Sequence, residues 1–187
     1  MKPILFNTEM VKAILDGRKA TTRRVIKPQP EPFGKALAYK DGIFSTLKAL
    51  EKEAHYRPGD ILYVRETFCS AYDGEAYFYF ADKCTNREQK KLLDYDDVCW
   101  RPSIHMPKEA ARIFLKVTEV RAERLQDITD DGAEKEGCND ATSTAMGFPF
   151  VWDTTVKKSD LSKYDWAANP WVWVISFERC EKEGSVS

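Results

Sequence analysis

Gly17-Arg18-Lys19-Ala20-Thr21-Thr22-Arg23-Arg24-Val25-Ile26 places four cations and two hydroxyls directly after an amphipathic helical pattern. Extended by one residue, the segment 18–27 holds five cations and no acid. The whole chain carries a net charge of only -1, so any affinity for an anion has to come from a local cluster of this kind. Four cations in seven residues most often form a solvated face. The spacing within the segment, more than its charge, carries a specific reading.

Working outward, residues 3–7 read as a short strand, and Thr8 is suited to cap a helix with Met10, Val11, Ile14 and Leu15 on one face before Gly17 ends it. Residues 21–26, rich in β-branched side chains, should be extended until Pro28, Pro30 and Pro32 forbid regular structure. A hairpin around Asp41-Gly42 and a polar helix over 47–53 are expected next. Pro58-Gly59-Asp60 marks a turn into a strand over 61–68, where alternation puts Glu66 on one face with Leu62, Val64 and Phe68. An acid among such neighbours has a buried partner or does chemistry, and an internal salt bridge to an arginine is the leading reading.

A second strand over 77–81 leads to a charged, exposed excursion over 82–97, and residues 112–121 alternate cleanly as an amphipathic strand. Thr129 caps a short helix with acids in its first turn and Gly137 at its end. Residues 139–170 read as polar, aromatic and irregular, 171–177 as a last strand, and 181–187 as a frayed tail.

The 187 residues, 43% hydrophobic and 32% charged with five tryptophans, describe a single globular α+β domain able to bury roughly 70% of its unfolded surface. Cys69, Cys84, Cys99, Cys138 and Cys180 are odd in number and lack a C-x-x-C pair, so no disulfide framework or zinc ribbon is indicated. A reducing, cytoplasmic setting follows as the simpler expectation, with no membrane span, no metal and no cofactor. His55 and His105 lack ligand spacing, and His105, between prolines, reads as structural.

Gly17-x-Lys19-x-x-Thr22-x-Arg24, between a helix and a strand, resembles the signature of the ASCH domain superfamily, a relative of the PUA RNA-binding fold. Arg57-Pro58-Gly59-Asp60-Ile61-Leu62-Tyr63-Val64-Arg65-Glu66 is similar to that family's turn and second strand. Ile128-Thr129 followed by Ala133-Glu134-Lys135-Glu136-Gly137 resembles its acidic helix. The runs from Trp100 to Pro107 and from Asn169 to Trp173 further resemble an elongated group found in phages and prophages. The resemblance implies a small, partly open β-barrel with two or three flanking helices, one domain over 1–180 with insertions near 33–56, 82–99 and 139–168.

Threonine at position 22, where much of the superfamily has glutamate, is similar to the subset that hydrolyses N4-acetylcytidine. By that resemblance Lys19, Thr22 and Glu136 are the catalytic residues. Thr22 would attack an acyl carbon, Lys19 would accept its proton, and Glu136 would orient Lys19 or pass the proton to the leaving amine. A lysine base needs its pKa lowered from about 10.4 towards roughly 7 to 8. In a regular strand residues three apart face opposite ways, so Lys19 and Thr22 cooperate only if the backbone between them is turned or bulged.

Thr21 is a rival to Thr22, and Glu134 to Glu136; each of the four has a surface reading as well. Arg18, Arg23, Arg24, Arg65, Glu66 and Trp171 are the candidate substrate or nucleic-acid contacts, with Trp171 placed to stack on a base and Trp173 expected to fill core. The expected activity is amide hydrolysis on a modified cytosine nucleoside or nucleotide. The alternative is a non-catalytic module binding RNA or single-stranded nucleic acid, and a ribonuclease ranks third.

Overall fold

The computed structural model describes residues 1–71, 76–82, 99–138 and 144–182. The expected excursion over 82–97 and the frayed end fall almost wholly outside them. The strands are β1 (Lys2–Leu5), β2 (Thr21–Val25), β3 (Glu31–Phe33), β4 (Ala36–Tyr39), β5 (Gly42–Phe44), β6 (Ile61–Arg65), β7 (Phe68–Ala71), β8 (Ala76–Tyr79), β9 (Phe114–Arg124) and β10 (Trp171–Cys180). The helices are α1 (Thr8–Leu15), α2 (Leu47–Leu50), α3 (Asp130–Lys135), α4 (Thr144–Thr155) and α5 (Leu161–Tyr164). The fold is therefore α+β. Five strands hydrogen-bond in the order β1-β6-β9-β10-β2, with β1 parallel to β6 and the β6–β9 and β10–β2 pairs antiparallel. This mixed sheet ends at β1 and β2 and does not close into a barrel among the described residues. None of the helices is long and apolar enough to cross a membrane.

By internal contacts the chain divides into two compact units, the first comprising Met1–Gly17, Asp60–Lys116 and Arg179–Ser187, the second Arg18–Gly59 and Val117–Glu178. In unit 1, Asn7 rather than Thr8 caps α1, its side chain accepting from the Met10 N–H. An asparagine oxygen at the position before the first helical residue reaches the third N–H, which leaves Thr8 inside the first turn. Val11 and Ile14 are buried, and Gly17 ends the segment with φ +75°, where a side chain would be strained.

Along β6 and beyond it the burial alternates as its sequence pattern predicts, with Leu62, Val64, Glu66 and Phe68 all inside. Glu66 has the salt-bridge partner anticipated for it. Arg112 donates from Nε to Oε1 at 2.9 Å and from NH2 to Oε2 at 3.1 Å, and also donates to Asp82 at 2.6 and 2.9 Å. Its guanidinium lies 3.9 Å from the centre of the Tyr79 ring. Burial pushes the Glu66 carboxyl above its ordinary range against the opposing pull of Arg112. Arg112 is held above its ordinary value because two carboxylates outweigh its own burial.

Unit 2 contains the β2–β10 pair, the small sheet β3-β4-β5 and four of the helices. The hairpin at Asp41-Gly42 and the helical turn from Leu47 are present as the sequence predicts. Pro32, expected to lie in irregular chain, is instead within β3. β3 is the outer strand of its sheet, where a missing N–H need not cost a ladder bond.

The stretch expected to be irregular after residue 139 contains α4, in spite of Pro149 within it. Phe148 and Trp152, four apart, are buried with Leu125, Ala133, Val172 and Val174, and Trp152 Nε1 donates to the Tyr164 carbonyl at 2.8 Å. Burying two large aromatics offsets the roughly 3 kcal/mol that a helical proline costs.

Replacing Glu66 by alanine removes one of the two carboxylates that Arg112 bonds, leaving Asp82 to hold it, and should cost about 1.5–3 kcal/mol of stability, seen as a lower urea midpoint. Lys2→Ala, which breaks the half-exposed 2.7 Å pair with Asp60, should cost under about 1 kcal/mol. Equal losses would remove Glu66 from its structural role.

Candidate active site and neighbouring cavities

Lys19 and Ala20 lie just before β2, and hydrogen bonds fix that approach. The Ala20 N–H donates to the Lys135 carbonyl at 2.8 Å, and the Ala20 carbonyl accepts from the Phe177 N–H at 2.9 Å. The first bond ties the basic segment to α3, which Thr129 caps through the Gly132 N–H at 3.1 Å. Glu136 is the C-cap of that helix and is thereby brought beside Lys19, 117 positions away.

The Lys19 ammonium donates to Glu136 Oε2 at 2.6 Å and to the Glu136 backbone carbonyl at 2.9 Å, its side chain 0% exposed. One cation thus serves both a carboxylate and the negative end of a helix. Arg23 NH1 donates to the other carboxylate oxygen, Oε1, at 3.1 Å, and Arg23 also grips Glu123 Oε1 from Nε at 3.0 Å and NH2 at 2.7 Å. Arg121 Nε completes the chain by donating to Glu123 Oε2 at 3.1 Å. Gly132 makes room for this arrangement, since a Cβ there would lie 3.2 Å from Arg23 NH2.

Burial pushes the Lys19 pKa below its ordinary value, opposed by the charge and hydrogen bond of Glu136 and aided by the charge of Arg24. Burial also lowers Arg24, with Glu136 and Tyr56 acting the other way. Lys19, Arg24 and Glu136 therefore share one electrostatic environment.

Thr22 lies within β2, opposite Ile175, and is 1% exposed. Because Lys19 precedes the strand, strand alternation does not force the two apart. The hydrogen bonds of the cluster nonetheless run from Lys19 through Glu136, Arg23 and Glu123 to Arg121 without passing through Thr22. Alternation puts Thr21, not Thr22, on the β2 face of Arg23, and Thr21 Oγ1 is buried without a hydrogen-bond partner.

Arg18 is exposed and donates to the Gly137 carbonyl at 3.3 Å. Arg65 and Glu66 belong to unit 1, where Arg65 NH2 donates to the Ile104 carbonyl and Glu66 is held by Arg112. Glu134 is exposed, unlike its rival Glu136.

A cavity of about 310 Å³ in unit 2 opens beside the β2 face that carries Arg24. Arg24, Lys27 and Lys40 supply its positive charge, and Tyr39, Tyr56 and Trp173 its aromatic wall. The Trp173 and Tyr39 rings meet edge to face at 86°, with centroids 6.4 Å apart. Trp173 is thus the cavity tryptophan. Trp171 is absent from this lining; the Arg124 guanidinium lies 4.8 Å from its ring centre. Trp173 is buried at 8% exposure, in keeping with its expected place in the core, and its pairing with Arg24 puts both residues on the face that lines this cavity.

A second cavity of about 180 Å³ shares Arg24, Val25 and Lys27 with the first and adds Trp152, Lys157 and Tyr164. Lys19, Thr22 and Glu136 line neither cavity. Of the cavity residues contributed by 39–56 and 152–164 the sequence singles out only His55, since nothing in a local pattern reveals which polar side chains a loop returns to a strand. Glu123 and Arg121 had a readable signal, as they lie two apart on one strand face.

Glu136→Ala would leave Lys19 and Arg23 buried beside a lost anion, with an expected loss of about 3–5 kcal/mol. Adding Lys19→Met should recover part of it in a double-mutant cycle followed by chemical unfolding. A double variant no more stable than Glu136→Ala contradicts the coupling. Comparison with protein-family models, with curated proteins and with solved structures finds no match to this chain.

Proposed function

We propose that the chain has an ASCH-type, PUA-like fold and acts as an amidohydrolase, removing an acyl group from a modified cytosine nucleoside or nucleotide. The observation that carries this reading is the convergence of Lys19 and Glu136, two of the three residues of the motif, at 2.6 Å from opposite parts of the sequence.

In the reaction, Lys19 passes its proton to Glu136 Oε2 and the neutral amine takes the proton of the Thr22 hydroxyl. Thr22 Oγ1 bonds to the acyl carbon, and the C–N bond breaks as the leaving amine receives the proton from Lys19. Water then cleaves the threonine ester, so that amide and water become carboxylic acid and amine. The cluster is closed to solvent, so access of substrate to Thr22 requires local opening near β2.

A second reading, a nucleic-acid binding module without catalysis, is favoured by the cavity that joins Arg24, Lys27 and Lys40 to three aromatic rings. In this reading the Lys19–Glu136–Arg23 cluster only ties β2 to α3.

Purified protein incubated with N4-acetylcytidine and N4-acetylcytidine monophosphate separates the two. Hydrolysis should fall by at least about a hundredfold in Lys19→Met and Thr22→Val. Because burial lowers the Lys19 pKa, the neutral base forms below the ordinary lysine range, and kcat/KM should rise with pH with its midpoint below 10.5. Turnover undiminished in both variants excludes this mechanism. If only Thr21→Val abolishes turnover, the nucleophile is Thr21. Absence of turnover with retained binding leaves the second reading.

A further inference from the structure

The two cavities of unit 2 both border β2 and draw on residues from both of its faces. Register pairs Arg24 with Trp173 and Thr22 with Ile175, and Trp173, Ile175 and Arg24 all line the larger cavity. The other face of the pair carries Arg23, Val25, Val172 and Val174; Val172 and Val174 pack in the core with Trp152, and Val25 packs against it. Arg23, Val25 and Trp152 line the smaller cavity. β2 is the last strand of the sheet order, so among the described residues its far side has no neighbouring strand to separate the two spaces.

Arg24, Val25 and Lys27 line both. The bridge between the cavities is therefore cationic, and an aromatic group stands on each side: Tyr39, Tyr56 and Trp173 in one, Trp152 and Tyr164 in the other. His55 sits against Tyr56 with ring centroids 4.8 Å apart and extends the first aromatic wall. Each cavity also holds one acid, Glu53 in the larger and Asp160 in the smaller, so cations outnumber acids in both.

This alternation of ring, cation and ring matches the repeat of a single-stranded nucleic acid, in which bases flank a phosphodiester. A single phosphorylated base would use one cavity and leave the other's aromatics and Lys157 without a role in binding. We propose that unit 2 binds a single-stranded oligonucleotide across the end of β2, one base in each cavity and the intervening phosphate at Arg24 and Lys27. The inference rests on the reading of this unit as a nucleic-acid-handling domain, and it makes the ligand a polymer segment rather than a free nucleoside.

Lys27 is held ready for the phosphate. Its ammonium lies 4.5 Å from the centre of the Tyr164 ring and 2.9 Å from Asp160 Oδ2. That pair is largely exposed, with side chains 54% and 31% accessible, and exposed pairs are weak enough to yield to a phosphate. Lys40 and Lys157, both exposed, line the larger and the smaller cavity respectively and suit the flanking phosphates.

The test is equilibrium binding of 5′-phosphorylated cytidine mono-, di- and tetranucleotides to the full chain at low salt. The dinucleotide should bind roughly tenfold or more tighter than the mononucleotide. Its affinity should fall with rising salt more steeply than that of the mononucleotide. Tyr164→Ala and Lys157→Ala should each remove the dinucleotide's advantage over the mononucleotide measured in the same variant, and Tyr164→Phe, which keeps the ring, should preserve it. Lys40→Ala should weaken all three ligands.

Equal affinity for mono- and dinucleotide, or a dinucleotide advantage that survives Tyr164→Ala, overturns the two-cavity inference but leaves the nucleotide reading standing. Binding of none of the three overturns both.

Discussion

A single carboxylate holds two buried cations at the junction between β2 and α3. Glu136 receives Lys19 on one oxygen and Arg23 on the other, and a second acid, Glu123, takes the remaining face of Arg23. Taking such charges out of water is costly, and the cost is offset only when donors and acceptors are matched with good geometry. The match here fixes the position of a helix end, the entry of a strand and the path of an arginine past Gly132 at once. The cavities at the other end of β2 inherit their placement from that anchoring.

The same requirement is met differently in unit 1. Glu66 and Asp82 both accept from Arg112, whose guanidinium lies over Tyr79. This set binds one cation with two acids and shares its ring face with an aromatic. Glu136 by contrast meets two cations at once, and burial lowers the Lys19 pKa against the opposing pull of that carboxylate. An arginine fully engaged by carboxylates is a fastening. A lysine whose ammonium is disfavoured by burial, one proton transfer from a carboxylate, is chemically poised.

Local signals served well wherever a short-range rule operated. The capping threonine of α3, the alternation through Glu66 and the glycine after α1 were all legible, because each depends on backbone geometry within a few residues. The same rules failed where burial outweighed them. Pro149 stands inside α4 because Phe148 and Trp152 fill a core that lies far away in sequence, and Pro32 is tolerated in β3 because the strand is an outer one.

The amino-acid sequence by itself determined the α+β character, the basic segment and the identity of Lys19, Thr22 and Glu136 as a set that resembles a catalytic motif. The first two follow from composition and period and the third is what the resemblance implies; none of them needs distant parts of the chain to be brought together. Tertiary structure alone decided that Lys19 and Arg23 meet on Glu136, that Thr21 shares the face of Arg23 while Thr22 turns the other way, and that Trp173 lines a cavity with Arg24. Contacts across 117 positions and the pairing of β2 with β10 depend on how strands register, and that register puts Arg24 and Lys27 of the basic segment beside two cavities with aromatic linings.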